Sequence, residues 1–190
     1  MGFTVLKTKV SVSPFFFAVL TLILIADKTG VSGFAVLFSL LHEFGHFLAL
    51  ICGKIIPKSF KITIFGMHIS LPENLSTAEK IPVLIAGFTV NFLLAVMFFV
   101  LKKPLFGYIN LIIGIFTALP VPSADGGEVL KAVIEEFLPN KAEKIFGMVS
   151  RIFVSIISLP LFFISILTEN YFILIAIIYM VICLTKKAAL

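Results

Sequence analysis

The chain carries two histidines four residues apart with a glutamate beside the first, in the order His42-Glu43-Phe44-Gly45-His46. Positions i and i+4 of an α-helix lie on one face, so both imidazoles can converge on one Zn²⁺. Glu43 is the next residue and can reach a water on that metal as a general base. Zinc lowers the pKa of such a water to about 7. The spacing therefore predicts a zinc-dependent hydrolytic centre.

The motif lies inside an apolar segment, residues 31–53, that is long enough to cross a bilayer. Histidine and glutamate are costly near the middle of a membrane span, and such residues usually mark a functional pathway or site. We therefore expect cleavage of a peptide bond within the membrane. A purely structural cluster of polar residues is the alternative for this motif.

The composition excludes an ordinary soluble domain. Hydrophobic residues make up 60% of the chain and charged residues only 13%, whereas soluble domains contain about 25% charged residues. Six apolar segments predict an all-α polytopic membrane protein with about six transmembrane helices. These segments are residues 12–26, 31–53, 81–101, 105–120, 145–167 and 171–185. We expect one domain over residues 1–190, with a catalytic core at about 31–127.

The distribution of lysine and arginine predicts that both termini are cytoplasmic. With the N-terminus inside, twelve of the 15 basic residues fall in inside segments, and only Lys28, Lys102 and Lys103 fall outside. The net charge of +5 then reflects membrane topology and contact with anionic lipid headgroups. No basic face on a soluble domain is present, so no nucleic-acid partner is expected.

Two histidines leave zinc needing a further protein ligand and an open position for water. The candidates are Asp125 and His68, because Asp27 lies at the opposite end of the first predicted span. Asp125 follows two prolines and precedes two glycines, a pattern of irregular backbone that at membrane depth must line a protein-enclosed cavity. The second and fourth spans both run inward and end on the same side. We favour Asp125, with His68 as the alternative.

Three motifs together resemble the site-2 protease family of intramembrane zinc metalloproteases. They are HEFGH at residues 42–46, GFTVN at residues 87–91 and PVPSADGG at residues 120–127, on successive predicted spans and in the family's order. The resemblance covers most of the chain. It implies His42, His46 and Asp125 as zinc ligands, Glu43 as catalytic base and three central helices as the catalytic core.

Asn91 matches the family's spacing between glycine and asparagine on the third span. It lies ten residues after Ile81, about 15 Å into that helix and at a depth comparable with His42. Its amide could donate to the substrate backbone or a developing oxyanion, or it could orient a ligand. Packing between helices, with Gly87 allowing close approach, is the alternative.

The chain departs from the family pattern at two positions. Phe88 stands where a proline is frequent, and Thr117 stands where an asparagine is frequent, eight residues before the aspartate. Asn110 lies further upstream and is not taken as a substitute for that asparagine. These departures affect substrate positioning and leave the implied ligands intact.

Residues 60–71 alternate in apolar character on both sides of Phe65 and Gly66, which predicts a short β-hairpin. The family resemblance implies that this hairpin lies against the membrane. An exposed strand edge could bind an extended substrate by strand addition. The alternative is a hairpin that only packs its apolar face on lipid.

The leading hypothesis is a zinc-dependent intramembrane endopeptidase that cuts a membrane-associated protein near the cytoplasmic side. The compact form most resembles the sporulation branch of the family, which implies a precursor sigma factor as substrate. Processing of an anti-sigma factor by the same chemistry is the nearest alternative, and regulatory membrane subunits are candidate partners. Two alternatives of other classes are a metal-transporting membrane protein that uses the same side chains and an inactive membrane scaffold.

Overall fold

The computed structural model describes residues 2–5, 8–63, 66–122, 124–169 and 171–188. The chain divides into two compact units, Met1–Phe116 and Thr117–Leu190. The expectation of one domain over residues 1–190 stays a prediction.

The first unit contains a small sheet and four helices. Its elements are β1 (Gly2–Val5), β2 (Thr8–Val12), α1 (Pro14–Ala26), α2 (Val31–Cys52), β3 (Ser59–Thr63), β4 (Gly66–Ser70), α3 (Thr77–Val100) and α4 (Pro104–Thr117). The second unit is helical. Its elements are α5 (Asp125–Phe137), a short 3₁₀ turn (Pro139–Lys141), α6 (Ala142–Leu167) and α7 (Tyr171–Ala188).

All six apolar segments form helices over most of their length, and three helices of the described chain are long and apolar enough to cross a membrane. These three are α2, α3 and the stretch Pro139–Leu167 that contains α6. The shorter apolar helices are Pro14–Ala26, Pro104–Thr117 and Ile173–Ile182. Since α1 has 13 residues, it is about 20 Å long, less than the hydrocarbon thickness of about 30 Å. The protein is a membrane protein, and the count of six spans stays a prediction.

The predicted hairpin forms as β3 and β4, which pair antiparallel with Lys61 opposite His68. It belongs to a larger sheet with the strand order β1-β2-β3-β4. Strand β2 pairs in parallel with β3, with Lys9 opposite Ser59. The expectation of a lone hairpin in an otherwise all-α fold was therefore incomplete, because the pairing of β2 with β3 joins distant segments and leaves no local signal. The chain leaves the sheet along α1 and returns to it after α2.

Asp27 has a structural role at the start of α2. Its carboxylate accepts hydrogen bonds from the backbone N–H groups of Thr29 at 2.7 Å and Ser32 at 2.6 Å. The N–H groups of a first helical turn lack partners within the helix, and negative charge is favoured there by the helix dipole. The Thr29 hydroxyl also donates to the carboxylate, at 2.6 Å. These hydrogen bonds, that of the Thr29 hydroxyl foremost, hold the pKa of Asp27 well below its ordinary value.

An ion pair fixes α5 on α6 in the second unit. Lys131 Nζ lies 2.9 Å from a carboxylate oxygen of Glu143 and 3.6 Å from one of Glu135. Burial alone would lower the pKa of Lys131, but the hydrogen bond and charge of Glu143 raise it above its ordinary value. This contact holds the helix whose first residue is Asp125.

Candidate metal centre

The HExxH motif lies on α2 where this helix packs closely against α3. Gly45 allows the approach, because a Cβ atom added there would lie 2.8 Å from both the Ala86 carbonyl oxygen and Val90 Cγ2. His42 is 5% exposed and His46 is 4% exposed. The two imidazoles therefore lie one turn apart on a buried helix face, as the spacing predicted.

Both imidazole rings are held through Nδ1. His42 Nδ1 lies 2.7 Å from Asn91 Oδ1, and His46 Nδ1 lies 2.7 Å from the Val83 carbonyl oxygen. Carbonyl oxygens accept hydrogen bonds only, so each Nδ1 must carry the proton and donate. In this tautomer Nε2 is the ring atom that can bind a metal ion.

The two Nε2 atoms lie 3.2 Å apart. Two nitrogens bound to one tetrahedral Zn²⁺ at about 2.05 Å are about 3.3 Å from each other. In the Nδ1–H tautomer each ring offers its Nε2 atom as a metal donor. The spacing and the donor chemistry of the two rings therefore fit a zinc ion.

Gly87 on α3 keeps the space beside both Nε2 atoms open. A Cβ atom at this position would lie 2.6 Å from His42 Nε2 and would collide with His46 Nε2. Any residue other than glycine would thus displace the rings. Gly87 was predicted only to allow helix packing, whereas in the structure it lies directly against the candidate ligands.

Asn91 is fully buried and contacts His42 from α3. Its amide nitrogen donates to Asn110 Oδ1 on α4 at 3.1 Å and, more weakly, to the Phe38 carbonyl oxygen at 3.4 Å. Among the roles considered for Asn91, this geometry suits the orientation of a ligand, and the same amide also links three helices. Asn110 was not predicted to belong to the site, although an amide within an apolar helix is a signal of a contact between helices.

Glu43 lines a cavity between α1 and α2 with a volume of about 480 Å³. The other lining residues are mostly apolar and include Phe16 and Ile23 on α1, Ala35 and Ser39 on α2 and Ile62 on β3. The Glu43 carboxylate is therefore a charged group at the wall of a mostly apolar cavity.

The sequence predicted irregular backbone around Asp125, but in the structure Asp125 is the first residue of α5. A Cβ atom on Gly126 would collide with the backbone of Ala118, and one on Gly127 with the backbone of Val121. The double glycine thus allows a close backbone approach. Asp125 belongs to the second unit, and its role as third ligand stays a prediction.

His68, the alternative third ligand, lies in β4. Its side chain and Ser123 of the PVPSADGG motif lie outside the described residues. The choice between Asp125 and His68 therefore depends on experiment.

No family model matches this chain, and no curated protein sequence matches it. Among solved structures, the chain is similar to a site-2 protease from Methanocaldococcus jannaschii, with a TM-score of 0.68 and 17% sequence identity. The match covers 98% of this chain and 94% of the other. The chain therefore has the fold of a site-2 protease.

Proposed function

We propose that this protein is a zinc-dependent intramembrane endopeptidase. The observation that carries the proposal is the pair of buried imidazoles with both Nδ1 atoms hydrogen-bonded to carbonyl oxygens and both Nε2 atoms 3.2 Å apart. Glu43 follows His42 in the chain and lines an apolar cavity. The similarity of fold to a site-2 protease supports the same reaction class.

His42, His46 and Asp125 would hold the metal ion in this proposal. Two imidazole nitrogens and one carboxylate form a donor set typical of catalytic zinc, which leaves a further position for the reactants. When bound, zinc would polarise the scissile carbonyl and make a water nucleophilic at neutral pH.

Glu43 acts as the general base. Its carboxylate accepts a proton from the water that attacks the peptide carbonyl, and it returns this proton to the amine that leaves. The apolar wall around Glu43 limits solvation, which strengthens interactions with the reacting groups.

The substrate class follows from the surroundings of Glu43. An apolar cavity between two apolar helices favours a membrane-associated protein segment over a soluble peptide. The segment must be extended near the cut, because a helix engages its carbonyls in internal hydrogen bonds. Strand β4, at one end of the sheet order, could hold such a segment by strand addition.

Topology supports cleavage near one membrane face. The pairing of β2 with β3 joins the segments before α1 and after α2, which is consistent with one crossing by each helix. The lysine and arginine distribution makes this face cytoplasmic. Six spans and cytoplasmic termini are part of the proposal, and a precursor sigma factor or an anti-sigma factor is its narrower substrate hypothesis.

The proposal is tested with purified protein in liposomes that contain single-span model substrates. We expect cleavage that a zinc chelator abolishes and that added Zn²⁺ restores. Metal flux into sealed vesicles, with no cleavage of any of the model substrates, would instead favour the alternative of a metal-transporting membrane protein.

The third ligand is tested by comparing Asp125→Ala with His68→Ala. Outer-shell changes typically reduce metal affinity about 10–100-fold, so loss of a direct ligand in Asp125→Ala should reduce zinc affinity by more than about 100-fold. The measurement is zinc affinity by competition with a chelating dye. His68→Ala should bind zinc as the wild type does, and the reverse pattern would transfer the role to His68.

The cavity beside Glu43 is tested by filling it with Ala35→Phe. The larger side chain should exclude an apolar substrate segment and lower kcat/KM about tenfold, the scale of mismatched apolar pockets. Zinc content should not change, because Ala35 lines the cavity and lies about two helical turns before His42. Leu37→Phe is the matched control, since Leu37 lies on α2, is 48% exposed and does not line the cavity. Equal kinetics for both variants would contradict this location for the substrate.

A further inference from the structure

Three polar side chains form a buried chain of hydrogen bonds across α4, α3 and α2. Asn110 and Asn91 are both 0% exposed, and the chain ends at the buried ring of His42. Neither asparagine is exposed to solvent, so each amide must satisfy its donor and acceptor atoms within the protein. The orientation of every amide in the chain is therefore fixed by its neighbours.

A backbone carbonyl determines which atom donates in each hydrogen bond of this chain. Asn110 Nδ2 donates to the Phe106 carbonyl oxygen at 2.9 Å, and a carbonyl oxygen can only accept. Asn110 must therefore turn its own oxygen toward Asn91, where it accepts from Asn91 Nδ2 at 3.1 Å. This in turn directs Asn91 Oδ1 to His42 Nδ1 at 2.7 Å.

The consequence for His42 is chemical as well as spatial. With an acceptor oxygen at Nδ1, the ring keeps its proton there and presents an Nε2 lone pair. If the Asn91 amide were reversed, its NH₂ group would face Nδ1 and favour the tautomer with a proton on Nε2. That tautomer cannot bind a metal ion through Nε2.

Two glycines allow α4 to come close enough for this contact. Gly107 and Gly114 are buried on the same α4 face as Asn110. A Cβ atom at Gly107 would lie 2.7 Å from the Phe99 ring, and one at Gly114 would lie 3.3 Å from Asn91 Cβ. The close approach of the two helices brings the Asn110 amide within hydrogen-bond distance of Asn91.

We propose that Asn110 is a positioning residue that fixes the Asn91 amide and, through it, holds His42 in the tautomer able to bind a metal ion. The hydrogen bonds from Asn110 through Asn91 to His42, here called the relay, are observed contacts, whereas the metal ion rests on the proposed function. The Phe38 carbonyl oxygen, at 3.4 Å from Asn91 Nδ2, supplies a second and weaker orienting contact. Loss of Asn110 should thus weaken metal binding without abolishing it.

Metal affinity is the first readout, measured by titration with Co²⁺ in detergent micelles. Asn110→Leu, which keeps the volume and removes both polar groups, should weaken Co²⁺ binding about tenfold, as outer-shell changes do. Asn110→Asp should restore most of the affinity, since its neutral acid keeps one acceptor and one donor. The double variant of Asn91→Leu and Asn110→Leu should bind no more weakly than Asn91→Leu alone. Asn140→Leu, at an exposed position, is the control and should bind Co²⁺ as the wild type does.

The second readout needs no metal. In protein labelled with ¹⁵N-histidine, the His42 ring should be the Nδ1–H tautomer in the wild type and a mixture in Asn110→Leu, with a His42→Gln spectrum to assign the signals. A variant that only unfolds at lower temperature, with unchanged tautomer and Co²⁺ affinity, would overturn the relay, as would additive losses in the double variant. Wild-type protein with the expected tautomers but no Co²⁺ binding would overturn the proposed function and leave the relay supported.

Discussion

Replacing Glu43 with glutamine is expected to reduce peptide cleavage by at least about 100-fold, the lower range for loss of a general base. Glutamine has the same shape as glutamate and can occupy the same cavity wall, but it cannot accept a proton from the attacking water. The measurement is kcat on a single-span model substrate in liposomes, with zinc content determined on the same samples.

Zinc content should be unchanged in Glu43→Gln, because Glu43 acts on the water and is not a ligand in the proposal. Glu73→Gln supplies the matched control: it makes the same chemical change at a side chain that is 93% exposed and paired with Lys58. Equal cleavage by wild type and Glu43→Gln would refute the proposed mechanism. Loss of both zinc and activity in Glu43→Gln would indicate that Glu43 is a zinc ligand and that another residue is the general base.

Adding a single methyl group at Gly87 is expected to abolish high-affinity metal binding. The Cβ atom of alanine would collide with His46 Nε2 and lie 2.6 Å from His42 Nε2. The rings cannot turn away without losing their hydrogen bonds to Asn91 and to the Val83 carbonyl oxygen. We expect zinc affinity to fall by more than about 100-fold, beyond the outer-shell range, and cleavage to be lost with it.

Two further glycines on α2 separate this effect from packing. At Gly33 a Cβ atom would meet nothing within 4 Å, so Gly33→Ala should leave zinc affinity unchanged. At Gly45 a Cβ atom would lie 2.8 Å from the Ala86 carbonyl oxygen on α3, so Gly45→Ala should lower the unfolding temperature of the metal-free protein. Gly87→Ala should lose more zinc affinity than Gly45→Ala. Retention of wild-type affinity in Gly87→Ala would contradict the proposed position of the metal.

Much of the helical framework could be predicted from the sequence, because long apolar segments in a membrane protein form helices. The six predicted segments lie close to α1, α2, α3, α4, α6 and α7 as observed. The hairpin of β3 and β4 also followed from local alternation. Strands β1 and β2 did not, since β2 is held by pairing with β3, and the first residues of α5 were mistaken for a loop.

The sequence by itself determined the chemistry that is available: two histidines one helical turn apart, a glutamate beside them, and the membrane segments that carry them. Those features are local, because helical periodicity and hydropathy act over a few neighbouring residues. Only the tertiary structure decided which atoms orient the rings. His46 is held by the Val83 carbonyl, His42 is held through Asn91 and Asn110, and Gly87 leaves room for both rings. These contacts join α2, α3 and α4 and involve residues far apart in the sequence. They depend on how the helices pack and on the need to satisfy buried polar atoms.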